Sequence, residues 1–158
     1  MVKCIHIRFF LFLVSLLAFG LLHAQSSVQW VTFEDLSDSL RINPKPVLVF
    51  IYADWCPYCK LQDRKTFTKS KVIKNLNDYY CLRLNTEEEK DIHFLNRTYQ
   101  LRPTGHRLGV HELARYLGTI NGGLVLPTTV VLNEKLEVVK KERGYLDPAY
   151  FRRWLPGK

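Results

Sequence analysis

Glycine and proline are scarce, at 8 and 7 of 158 residues, and no internal repeat or low-complexity stretch interrupts the chain. That excludes a collagen-like or disordered polymer. Cysteine is scarce as well. Four residues cannot build the dense disulfide framework that much smaller domains need, and a chain of this length buries a core without one. No apolar run reaches the roughly 20 residues that a bilayer-spanning helix requires; Phe9 to Leu22 has 14. What remains, 47% hydrophobic and 24% charged residues, fits one globular domain of ordinary size.

The N-terminus stands apart from that domain. Residues 1–8 hold Lys3 and Arg8 and no acid, the apolar run follows, and Leu22-His23-Ala24 ends it on a small residue before polar Gln25-Ser26-Ser27. A basic start, a short apolar centre and a small-residue cleavage site describe a secretory signal peptide over residues 1–24. An N-terminal membrane anchor is the alternative for the same segment. No cysteine follows the run to accept a lipid. Cleavage leaves a domain of 25–158 with Cys56, Cys59 and Cys81, and the formal charge falls from +8 to +6. Lys60, Arg64, Lys65, Lys69, Lys71 and Lys74 crowd one segment, which suits a solvated helix face and not a nucleic-acid surface.

Along the mature chain, Thr32 caps a helix whose face is Phe33, Leu36 and Leu40, and Asn43-Pro44 stops it. Val47 to Tyr52 carries no charge and is β-branched or aromatic at most positions, as a central strand buried on both faces requires. A helix is expected from Cys59 to about Asn77 with a break near Thr68–Ser70, then a strand over Tyr79–Leu84. Thr86-Glu87-Glu88-Glu89 predicts another helix, its acids placed where the dipole favours them. Val110 to Leu117 predicts a short helix and Asn121-Gly122-Gly123 a loop. Thr128–Leu132 and Leu136–Lys140 predict a hairpin, and Asp147-Pro148 starts a final helix.

Cys56-Pro57-Tyr58-Cys59 sits where the central strand turns into a helix. Cysteines at this spacing can close a disulfide or act in succession. Cys56 at the helix N-terminus faces unpaired N–H groups and the positive dipole end, which favour its thiolate, the attacking species. Cys59 lies one turn further in and would resolve a mixed disulfide, while Pro57 fits the first helical position without wasting a donor. A metal site would need a second paired motif, and only Cys81, His93, His106 and His111 are at hand. No metal is therefore expected. A permanent structural disulfide is the competing reading, and Cys81, on a strand, suits an inert buried thiol. Lys60 suits either support of the thiolate or solvation, and Tyr145 and Trp154 suit the core.

The run Tyr52-Ala53-Asp54-Trp55-Cys56-Pro57-Tyr58-Cys59-Lys60, with Leu126-Pro127-Thr128-Thr129 and Gly144, resembles the thioredoxin family across the mature chain. Thr66-Phe67 and Val72 make it most similar to the C-terminal thioredoxin-like domain of DsbD and its exported relatives; Pro57-Tyr58 is similar to glutaredoxins. The resemblance implies an α/β fold with a central mixed sheet flanked by helices. It also implies that Pro127 is a cis-proline facing the cysteines and that Leu126 offers backbone groups to an extended substrate. Trp55, Pro57 and Tyr58 would complete the substrate rim. Pro103-Thr104 rivals Pro127, but no strand is expected after it, so residues 98–123 are expected to enlarge the connection between the third helix and the proline loop. The buried acid that the family keeps six residues before the first cysteine is replaced by Phe50. Water, Asp54 or Asp63 is left to take the Cys59 proton.

These features imply an exported thiol-disulfide oxidoreductase that works without a bound cofactor. It would be periplasmic in a Gram-negative source and otherwise secreted. Its partners would be exported proteins bearing disulfides or thiols, with electrons from a membrane donor. The alternative is a non-catalytic thioredoxin-like binding module.

Overall fold

The computed structural model describes residues 27–105 and 107–156. The expected signal peptide lies outside them. Among the described residues, no helix is long and apolar enough to cross a membrane.

A five-stranded sheet forms the centre, built from β1 (Trp30–Val31), β2 (Val47–Tyr52), β3 (Tyr80–Asn85), β8 (Thr128–Leu132) and β9 (Val138–Arg143). The order is β1-β3-β2-β8-β9, with β1, β3 and β2 parallel and the last two antiparallel additions. This is the mixed sheet expected. β2 lies at its middle, and alternation divides its side chains between two cores. Leu48 and Phe50 join α2 (Pro57–Lys65), α3 (Ser70–Leu76) and α5 (Pro148–Trp154), where Val72, Ile73, Phe151 and Trp154 are buried. Val47, Val49 and Ile51 join the opposite face, covered by α1 (Phe33–Ile42) and α4 (Glu112–Gly118) through Leu36, Leu113 and Leu117. Each such side chain contributes about 1.5–3 kcal/mol on burial.

Local chemistry sets the helix limits. Thr32 accepts the Asp35 N–H at 3.2 Å to open α1, and Asp147 accepts from Ala149 and Tyr150 to open α5. The expected break falls between α2 and α3, where Thr66 donates to the Leu146 carbonyl at 2.6 Å. All six basic residues of that segment are exposed, as a solvated face requires.

The chain departs from expectation after β3. Residues 86–89 form no helix. Asn85 accepts the Glu87 N–H through its side chain and the Glu88 N–H through its carbonyl, so a turn consumes the donors a helix would have left open. A hairpin follows, β4 (Ile92–Phe94) and β5 (Arg97–Tyr99), joined by Leu95 and Asn96, both at positive φ. Ile92, Phe94 and Tyr99 are buried on the α1 side, with Phe94 edge-on to Phe33 at 6.0 Å.

A second hairpin joins β6 (Leu101–Thr104) to β7 (Arg107–His111) and runs directly into α4. The third helix, expected from Thr86, is thus replaced by hairpin strands, and the short helix expected over Val110–Leu117 forms as α4 within the 98–123 stretch. Pro103 lies where the β6–β7 register shifts, a bulge that spares it a ladder hydrogen bond. Opposite it, a Cβ on Gly109 would stand 2.3 Å from the Arg102 carbonyl oxygen, so this hairpin closes only around glycine. Trp154 is buried as expected, whereas Tyr145 is only half-buried; Leu146 fills that part of the core instead.

Candidate active site

Cys56 is the N-cap of α2 and Pro57 its first helical residue. The Cys56 N–H donates to the Ala53 carbonyl at 3.1 Å, and its Sγ accepts from the Cys59 N–H at 3.2 Å. The two cysteines form a disulfide with Cα atoms 5.3 Å apart. The N-cap position puts Cys56 at the positive end of α2, where a negative charge is favoured. Cys56 is 3% and Cys59 1% exposed, so both sulfurs sit below a rim formed by exposed Trp55 and Tyr58. Trp55 is a rim residue and not a core one.

Two sets of contacts hold the turn. Above, the Trp55 indole Nε1 donates to Glu87 Oε1 at 2.9 Å, and Asn85 Nδ2 donates to Asp54 at 3.1 Å. Below, Gln62 is fully buried one turn past Cys59. Its Nε2 donates to the Thr129 hydroxyl at 3.2 Å, and its Oε1 accepts the Leu146 N–H at 3.0 Å. Gln62 thereby fixes the cysteine helix to β8 and to the approach of α5. Nothing in the sequence marked it, since a helical glutamine ordinarily faces solvent.

The Leu126–Pro127 peptide bond is cis, the only one among the described residues, and Gly144 donates to the Pro127 carbonyl at 2.7 Å. Leu126 and Cys56 line one cleft of about 860 Å³, together with Trp55, Pro57 and Tyr58. Of the residues expected to act on substrate, these five share the cleft, while Cys59 and Pro127 are not part of its lining. The rest of the lining includes Gly109 and Val110 of β7 and Arg115 of α4, all from the 98–123 stretch expected to enlarge the connection.

Under the site, Phe50 is fully buried, stacked on Tyr52 and edge-on to Phe67. No carboxylate occupies its place. The Arg83 guanidinium lies 4.9 Å from the centres of the Trp30 and Tyr52 rings and is ion-paired with Asp63. Asp63 is four residues past Cys59 on α2, hence on the same helical side. The two carboxylates considered for the Cys59 proton are thus both engaged, Asp63 by Arg83 and Asp54 by Asn85.

The remaining candidates are dispersed. Burial pushes the Cys81 thiol up to about 12. His93 shares a hydrogen bond with Thr98, and buried His111 caps α4 by accepting the Leu113 N–H at 3.2 Å. His106 is outside the described residues. Among those residues, no three of His, Cys, Asp and Glu gather where a metal could be held. Lys60 is exposed beside the motif.

A family model described as a thioredoxin-like domain matches residues 33–157. The thiol:disulfide interchange protein DsbD of Campylobacter jejuni is 30% identical over 69 residues, which cover 44% of this chain and 12% of DsbD. The chain thus matches about an eighth of that relative's length. Among solved structures, the reduced C-terminal domain of Neisseria meningitidis DsbD superposes with a TM-score of 0.50 at 17% identity, covering 77% of this chain and 88% of that one. A thioredoxin from Thermus thermophilus gives 0.56 at 19% identity, covering 80% and 83%.

Proposed function

The chain belongs to the thioredoxin-like family, and from that premise we propose that it is an exported thiol-disulfide oxidoreductase that reduces or repairs disulfides in extracytoplasmic proteins. The observation that carries this reading is the placement of Cys56: N-cap of α2, disulfide-bonded to Cys59, and open to a cleft that also holds Leu126 of the cis-proline loop.

In the reducing direction, the Cys56 thiolate attacks one sulfur of a client disulfide. The client S–S bond breaks, the departing sulfur leaves as a thiolate and takes a proton from water, and a mixed disulfide remains. Cys59 then loses its proton to water and attacks Cys56 Sγ, breaking the mixed disulfide and expelling the second client thiolate, which takes up a proton from water in turn. Two electrons and two protons have reached the client, and the Cys56–Cys59 disulfide has re-formed. A dithiol donor at the membrane returns the pair to its reduced state by the same exchange. Residues 1–24 direct export, and no bound cofactor enters any step.

Substrate binding falls to the rim. Trp55, Pro57 and Tyr58 shape one side of the cleft, and Leu126 pairs its backbone with an extended client segment as an added strand. Insulin-disulfide reduction with dithiothreitol as donor tests the assignment. A Cys56→Ser variant loses the activity; a variant that retains it contradicts Cys56 as nucleophile.

A further inference from the structure

Two walls bound the cleft, and only one belongs to the redox turn. The other is the β6–β7 hairpin with α4, which contributes Val110 and Arg115 to the lining shared with Trp55, Tyr58 and Leu126. That wall carries an unmatched charge. Glu112, one turn before Arg115 on α4, is engaged by Arg102 at 2.8 Å and by the Gln100 N–H at 3.1 Å. Glu87, the acid lining the cleft, accepts from Trp55. Arg115 is exposed, and among the described residues its guanidinium has no hydrogen bond, ion pair or ring contact. The surrounding side chains are largely apolar or aromatic: Trp55, Tyr58, Val110, Leu124 and Leu126.

A free guanidinium among such walls offers a planar donor fork to a carboxylate, in surroundings that screen the pair less than open water does. We propose that Arg115 is the specificity-determining residue of the cleft, and that its preferred client is an extended, acidic polypeptide segment bearing the reactive cysteine. Three features favour such a segment. The cleft is open rather than a closed cavity, its volume of about 860 Å³ holds several residues, and an extended chain places side chains two residues apart on one face. A client glutamate at that spacing from its cysteine meets Arg115 while the cysteine meets Cys56. The proposal rests on the oxidoreductase reading and adds the class of client to it.

Arg115 also lies in the last turn of α4, where any cation complements the helix dipole. That role would alter stability without discriminating between clients, so the test measures discrimination. Two synthetic peptide disulfides are compared, identical except for Glu or Gln two residues from the cysteine, with dithiothreitol as electron donor. The expected result is a kcat/KM about five- to tenfold higher for the Glu peptide at low salt, the range of a charge-assisted hydrogen bond near a surface. The preference shrinks as ionic strength rises. In Arg115→Gln the preference disappears; Arg115→Lys keeps part of it, and Arg115→Glu turns it toward a Lys peptide. Equal rates on both peptides in the unaltered protein overturn the proposal. So does an Arg115→Gln variant slowed equally on both. Failure to reduce either peptide, together with failure on insulin, contradicts the oxidoreductase reading itself.

Discussion

The Trp55 indole donates to the Glu87 carboxylate at 2.9 Å across 32 residues of chain. This contact fastens the outer edge of the redox turn to the turn that follows β3, and so to the start of the two hairpins that build the far wall of the cleft. Removing the acceptor in Glu87→Ala frees the ring, with a stability change within about 1 kcal/mol because the pair is exposed. Trp55 fluorescence anisotropy falls and kcat/KM drops severalfold, while Glu87→Gln, which keeps an acceptor oxygen, retains most of both.

Gln62 does the corresponding work beneath the turn. Gln62→Ala strands the Leu146 N–H and the Thr129 hydroxyl in the core and opens a cavity beside Cys59. A loss of about 2–4 kcal/mol is expected, read as a lower urea midpoint at unchanged slope. A variant within 0.5 kcal/mol of the unaltered protein, a rough limit for surface substitutions, would contradict the anchoring role.

These two contacts mark how far the sequence was legible. β2 could be read because a strand buried on both faces needs an unbroken apolar run, and Val47 to Tyr52 is one. The redox turn and the capped α5 were legible because Cys56, Pro57, Asp147 and Pro148 act through neighbours in the chain. Residues 86–99 misled. Glu87 to Glu89 imitate a helix start, and the hairpin turn at Leu95-Asn96 lacks the glycine that usually marks one. Gln62 has a role set by Thr129 and Leu146, far along the chain, which spacing does not reveal.

His111 makes stability pH-dependent. It is fully buried, accepts the Leu113 N–H at the start of α4, and burial holds its pKa below the ordinary 6.5. The unfolded chain therefore binds a proton near pH 6.5 that the folded chain refuses until lower pH. The stability from neutral His111 is complete above about 6.5 and is lost as pH falls toward the folded value. Thermal melts between pH 7.5 and 5 should show a falling Tm. The slope flattens in His111→Asn, which keeps a capping oxygen but does not titrate.

Cys81 is expected to take no part in the chemistry. With its thiol at about 12 and its side chain 1% exposed, it resists iodoacetamide at pH 8 in the folded protein and reacts after denaturation. Cys81→Ala leaves insulin reduction unchanged; a loss of activity without a loss of stability would give it a redox role.

An oxidoreductase role requires the Cys56–Cys59 pair to cycle between disulfide and dithiol in use. Its most direct test is equilibration in dithiothreitol and glutathione buffers of graded potential, followed by thiol alkylation and mass. One two-electron transition is expected between about −270 and −120 mV, the range of working enzymes of this fold. A disulfide that stays closed below about −300 mV would contradict it and mark the pair as a structural bridge.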